Sequence, residues 1–158
     1  MFNQREIKMP KAIIIYATRT GNTQIIAEAI QEGMKQSGVE ALLKKVAWVE
    51  VSELAGVDAV ILGAPTYHHD LIESMKTFLF AMESVDLRGK IGAAFGSYGW
   101  SGESVGMMND TMKHIFGMAV IEPGFKFVGR PSGSSLEDCK EFGKEIVERS
   151  RSPCACWQ

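Results

Sequence analysis

Six consecutive residues, Thr18-Arg19-Thr20-Gly21-Asn22-Thr23, have the side chains and the position needed to hold an anion. They follow the apolar run Ala12-Ile13-Ile14-Ile15-Tyr16-Ala17 and precede a segment with helical periodicity. A strand that ends in such a turn and opens a helix leaves the first helical N–H groups without partners inside the helix, and the helix dipole adds partial positive charge there. Thr18, Thr20 and Thr23 add hydroxyl donors, while Gly21 and Asn22 permit a tight turn close to a ligand. The loop has no Lys and lacks the long glycine-rich reach of a nucleoside-triphosphate loop, which argues against Mg-ATP. Neutral donors suit one terminal phosphate on a cofactor. Taken alone, the run also reads as a turn with a helix cap.

Two later loops bear on that choice. Gly63-Ala64-Pro65-Thr66-Tyr67 follows the third predicted strand, and Gly96-Ser97-Tyr98-Gly99-Trp100-Ser101-Gly102-Glu103 follows the fourth. With the three loops in this order, the chain resembles the flavodoxin family from roughly Lys11 to Arg149. The last run looks most like the flavodoxin-like domain of flavodiiron proteins. The resemblance implies FMN, with its phosphate on the first loop and the two sides of its isoalloxazine ring against the other two. The implied phosphate set is Thr18, Arg19, Thr20, Gly21, Asn22 and Thr23. Pro65 stiffens the second loop, Thr66 reaches phosphate or ribityl oxygens, and Tyr67 or His68 lies against the flavin. In the third loop Tyr98 and Trp100 are candidates for stacking, beside Ser97, Gly99 and Gly102, and Gly96 and Gly99 let the backbone approach the ring. The flavin carries the chemistry, so no catalytic side chain and no metal ligand is expected.

His68-His69-Asp70 is a poor chelate, because adjacent side chains of an extended segment point in opposite directions. Asp70 is expected to cap a helix beginning at Leu71, and His114 is an ordinary helix residue. Between Thr66 and Asp70 there is no Gly, although flavodoxins often place one where a peptide flips toward the half-reduced flavin. Such a flip costs about 1 kcal/mol or more at Tyr or His. Cys139 falls on an apolar helical stripe and reads as core, whereas Cys154 and Cys156 lie in a terminal tail with no further metal ligand beside them.

The elements that must position these loops follow from alternating apolar runs and amphipathic segments, the pattern of a parallel sheet covered on both faces. Strands are expected near 11–17, 39–46, 57–63, 89–96 and 118–128, the last split by Glu122-Pro123-Gly124. Helical stripes comprise Ile26, Ile30 and Met34, then Leu71, Met75, Phe78, Leu79 and Met82. Two more are Val105, Met108, Met112, Ile115 and Phe116, and finally Leu136, Cys139, Phe142 and Ile146. The 47–56 connection has room for only a turn or two. The expected fold is α/β, a flavodoxin-like doubly wound five-stranded parallel sheet of order 2-1-3-4-5 with helices on both faces. Its binding crevice lies where strand order reverses, a rule for which flavodoxin itself is a standard example. An N-terminal extension (1–10), one FMN-binding domain (11–151) and a C-terminal tail (152–158) complete the expected organisation.

The chain has 158 residues, 46% hydrophobic and 23% charged, with a net charge of -2, which describes an ordinary globule without a basic stripe for nucleic acid. No apolar run approaches a membrane span, and Met-Phe-Asn-Gln-Arg-Glu is no signal peptide, so a cytoplasmic protein is expected. The resemblance implies an electron-transfer protein whose partners are redox proteins: a reductase, a rubredoxin-like carrier or a diiron protein. Two alternatives stand beside it, an FMN-dependent NAD(P)H:quinone reductase and a flavin-free binding module of the same fold. The sequence leaves the oligomeric state open.

Overall fold

Ile13, Ile14 and Ile15 are all fully buried. Successive strand residues point to opposite faces, so a run buried at every position requires cover on both sides of the sheet. The computed structural model describes residues 11–67, 70–98 and 102–151. In chain order the elements are β1 (Ala12–Tyr16), α1 (Asn22–Gln36), β2 (Leu42–Lys45), β3 (Ala59–Gly63), β4 (Thr66–Tyr67), β5 (Asp70–Leu71), α2 (Glu73–Met82), β6 (Ile91–Tyr98), α3 (Glu103–Asp110), β7 (Ala119–Val120), β8 (Phe125–Val128) and α4 (Ser134–Arg151).

All pairings in the main sheet are parallel, in the order β2-β1-β3-β6, with β7 and β8 both laid against β6. Ile14 stands opposite Leu43 on one side and Ile61 on the other. Since β7 and β8 are two pieces of one strand position, the order is the expected 2-1-3-4-5, and the break falls at Glu122-Pro123-Gly124 as the sequence suggests.

Each face has its own core. Ile13, Ile15, Val60 and Leu62 pack with Met75, Phe78 and Met82 of α2 and Val105 and Met108 of α3. On the other face, Ile14, Ile61 and Phe95 meet Ile26, Ile30 and Met34 of α1 and Cys139, Phe142 and Ile146 of α4. Each such side chain contributes roughly 1.5–3 kcal/mol by leaving water. Helices α1 and α4 approach through glycines: a Cβ on Gly33 would stand 2.1 Å from the Lys140 carbonyl oxygen, and one on Gly143 2.4 Å from that of Ile30.

Several expectations need correction. β2 is shorter than 39–46, and β6 runs on to Tyr98 rather than stopping at 96. A short antiparallel hairpin, β4–β5, pairs Thr66 with Leu71 and Tyr67 with Asp70. Leu71 is therefore extended, and α2 begins at Glu73 after Ile72. Asp70 does not cap a helix. Its Oδ1 accepts from the Leu71 N–H at 2.7 Å, and its other oxygen pairs with Lys76. Ile115, expected on the core stripe, is 64% exposed. The chain from Thr111 to Ile115 forms a π-helical turn, in which the Phe116 N–H donates to the Thr111 carbonyl at 3.2 Å. The wider turn keeps Met112 and Phe116 on the buried stripe and rotates Ile115 off it.

The 47–56 connection does hold only short turns, 3-10 segments at Val46–Trp48 and Val51–Gly56. Among the described residues no helix is long and apolar enough to cross a membrane, and no cluster could hold a metal ion. Cys154 and Cys156 lie outside the described residues, as do residues 1–10.

Candidate cofactor site at the carboxyl ends of the strands

The first loop leaves β1 beside the end of β3, where the Ala17 N–H donates to the Gly63 carbonyl at 2.9 Å. Thr18 closes the turn, its Oγ1 accepting from the Gly21 N–H at 3.0 Å. Gly21 has φ +89°, a left-handed conformation that L side chains rarely adopt, and a Cβ there would meet nothing within 4 Å. The turn therefore faces open space. Helix α1 starts at Asn22 with no side-chain cap. The Ile25 N–H is the first to reach back, to Gly21 O at 3.1 Å, which leaves the backbone N–H groups of Asn22, Thr23 and Gln24 without acceptors inside the helix. Arg19 and Thr20 are exposed around this opening.

Thr23 is placed differently from its neighbours. It is 1% exposed, and its Oγ1 lies 2.9 Å from Ser97 Oγ, itself 6% exposed. This hydroxyl pair ties the first loop to the third. The second loop is tied in as well: Thr66 Oγ1 accepts from the Ser104 N–H at 3.0 Å, capping the first turn of α3, and Ser104 Oγ donates to Ala64 O at 3.0 Å. Ser104 was not singled out from the sequence. A hydroxyl just inside a helix start was the one available signal.

Pro65 is buried beneath this junction. Gly96 serves packing rather than access, since a Cβ there would stand 2.5 Å from the Ala64 carbonyl oxygen. Tyr98, half-buried, lies along Gly102, where a Cβ would come within 3.3 Å of its ring. Tyr67 contributes backbone to the β4–β5 hairpin. His68, His69, Gly99, Trp100 and Ser101 lie outside the described residues, and with them part of the expected ring-stacking set.

The three loops thus meet on one rim, held by hydrogen bonds between them. Three free backbone donors, the exposed Thr20 hydroxyl and the Arg19 side chain, with no carboxylate in the loop, form a donor set suited to a phosphate monoester.

The sequence matches the family described as Flavodoxin over residues 14–143. The chain belongs to the flavodoxin family. It resembles a solved flavodoxin from the domain Archaea at 34% identity and a TM-score of 0.85, covering 90% of this chain and 99% of that one. It is 33% identical over 141 residues to the type A flavoprotein fprA of Rhodobacter capsulatus, covering 86% of this chain and 32% of the relative. The rubredoxin oxygen:oxidoreductase of Desulfovibrio gigas superposes with a TM-score of 0.79 at 25% identity, over 90% of this chain and 37% of that one. The chain spans about a third of the length of the first curated relatives it matches. It is a flavodoxin-like, FMN-binding electron-transfer domain related to flavodiiron proteins.

Proposed function

We propose that the chain works as an electron carrier or redox module rather than as a reductase, holding FMN through residues of its own three loops. The phosphate lies over the N–H groups of Asn22, Thr23 and Gln24, with Thr18, Thr20 and Arg19 around it. The observation that carries this reading is the uncapped first turn of α1 opening onto space above the positive-φ Gly21. Thr66, Tyr67 and His68 on one side and Ser97, Tyr98, Gly99, Trp100 and Gly102 on the other border the ring. When bound, FMN supplies one- and two-electron redox chemistry. The protein residues bind, orient and shield it, and the Thr23–Ser97 pair keeps the phosphate end in register with the ring end.

Partners are redox proteins of the kinds named for its relatives, such as a rubredoxin-like carrier or a diiron protein, or a reductase, and the setting is the cytoplasm. The test begins with the absorption spectrum of the purified protein and identification of any chromophore released on denaturation. Flavin-free protein is then titrated with FMN and with riboflavin, which lacks the phosphate. Strong preference for FMN, weakened in Thr20→Ala and in Gly21→Ala, is the expected result. Protein that takes up no FMN overturns the reading. Negligible steady-state NAD(P)H oxidation with a quinone is expected; rapid turnover would make the chain a reductase.

A further inference from the structure

On the face of the sheet away from α1 and α4, helices α2 and α3 border a groove of about 260 Å³. Leu71, Leu79 and Met107 line it, with Phe80 and Ile115 on its edges. Phe80 is 74% exposed, Ile115 64% and Met107 37%, so half of the six large apolar side chains exposed among the described residues gather in this one place. Scattered exposed apolar residues are ordinary, whereas a contiguous group marks a contact surface. Ile115 belongs to the group only because the π-helical turn at Thr111–Ile115 rotates it out of the core, and such turns recur at functional sites.

The charges around the groove are unbalanced. Lys76 is neutralised by Asp70 at one end, and Lys113 of the π turn pairs with Glu122 at 2.9 Å. Glu83, which follows the last residue of α2 and lines the groove, is exposed and has no ion pair among the described residues. The apolar groove is therefore bordered by net negative charge.

We propose that this groove docks a protein partner presenting one bulky apolar side chain flanked by lysines or arginines. A second copy of the chain is disfavoured, because a symmetric contact through this groove would bring Glu83 toward its own copy. A small-molecule site usually offers about 300–1,000 Å³ and more enclosure. Leu71 at one end of the groove belongs to the hairpin that carries Thr66 and Tyr67, while Phe80, Glu83 and Ile115 lie toward the carboxyl-terminal ends of the two helices, away from the cofactor rim. That the partner exchanges electrons rests on the proposed function; the docking itself does not.

The experiment titrates the full-length protein, supplied with FMN, with the peptide Ac-Lys-Lys-Phe-Leu-Lys-Lys-NH2 at low ionic strength, read by methyl NMR. Saturable shifts confined to Leu79, Met107 and Ile115 are expected, with the Glu-for-Lys peptide about tenfold weaker. Phe80→Ser and Ile115→Ser, both at exposed positions, each weaken binding about fivefold with thermal stability unchanged, and Glu83→Lys weakens it as well. Shifts elsewhere, equal binding of the acidic peptide, no saturable binding, or a concentration-dependent dimer abolished by Ile115→Ser overturns the proposal. Protein that takes up no FMN yet binds the peptide in this way supports the docking and overturns only the carrier reading.

Discussion

Thr23 Oγ1 and Ser97 Oγ lie 2.9 Å apart in the buried wall between the first and third loops. Both residues are buried, so solvent is a poor substitute for either partner. Ser97→Ala therefore leaves a buried hydroxyl without its partner, at a cost of about 1–3 kcal/mol. Urea unfolding of the flavin-free protein measures this directly. Thr23→Ala and the double variant complete a cycle, and a coupling of about 0.5–3 kcal/mol is expected for hydroxyls in contact. A coupling of zero would mean that the loops are joined by something else.

Two glycines separate a backbone requirement from a packing requirement. Gly21→Ala introduces a Cβ into open space, so its effect is the strain of a left-handed conformation, roughly 1–2 kcal/mol, and it falls on the turn that faces the phosphate. Gly33→Ala drives a Cβ to within 2.1 Å of the Lys140 carbonyl oxygen and must separate α1 from α4. Overpacking of that kind costs typically about 1–3 kcal/mol and occasionally more. Both variants are expected to lower the melting temperature, but only Gly21→Ala to weaken FMN binding appreciably. Similar effects of both on FMN affinity would contradict this division.

Much of this was legible in the sequence because the strong signals are local. A continuous Ile run demands cover on both faces, and Pro123-Gly124 breaks the last strand wherever the rest of the fold lies. Features that depend on one extra residue or on very short pairings were not legible. The π turn leaves the 3.6-residue periodicity of Val105, Met108 and Met112 intact up to the point where it displaces Ile115. The β4–β5 hairpin has two residues in each strand, too few for any alternation, so Leu71 read as helix and Asp70 as its cap. In the site, the Thr-Gly-Asn turn announced itself by composition. The inward aim of Thr23 and the linking role of Ser104 depend on residues 74 and 40 positions away, contacts that no local pattern encodes.

Arg19 brings a full positive charge to a loop otherwise built of neutral donors. It is exposed, so its attraction for a phosphate is screened by solvent and is worth about 0.2–1 kcal/mol. Arg19→Ala is expected to lower FMN affinity a few-fold at low ionic strength, and the difference from the parent should vanish near 1 M salt, where the screening length is about 3 Å. Riboflavin binding should not change. A loss of riboflavin affinity would assign Arg19 to the ring rather than to the phosphate.

Cys139 is fully buried, and burial pushes its thiol from 9.0 up to about 11, with nearby Asp138 adding to the effect. The thiolate is the reactive form, so Cys139 should resist thiol reagents at pH 8 in the native protein and react once it is unfolded. The folded state holds this proton more tightly than the unfolded chain does. Stability is therefore insensitive to the group below pH 9.0 and falls as pH rises from there through about 11. Cys139→Ala removes that alkaline dependence while leaving a small cavity. An unchanged alkaline limb in the variant would assign the loss to other groups.

Among the described residues one ion pair, Asp70 with Lys76, tethers the hairpin that carries Thr66 and Tyr67 to α2. The Lys76 ammonium, and after it the Leu71 N–H, holds the Asp70 carboxyl below its ordinary 3.8, while Asp70 raises Lys76 above its ordinary 10.5. The signs are opposite. Asp70's contribution is present above pH 3.8 and is lost as pH falls through its lowered value. Lys76's is present below 10.5 and is lost as pH rises through its raised value. The tether thus operates across the neutral range and releases only at the extremes. Both groups are partly exposed, so global stability should change little. The local effect is the readout: in Lys76→Met the amide hydrogens of Tyr67 and Leu71 should exchange faster at pH 7 than in the parent, with α1 and β1 unchanged. Equal protection in parent and variant would mean that the two strand pairs and the buried Leu71 hold the hairpin without the tether.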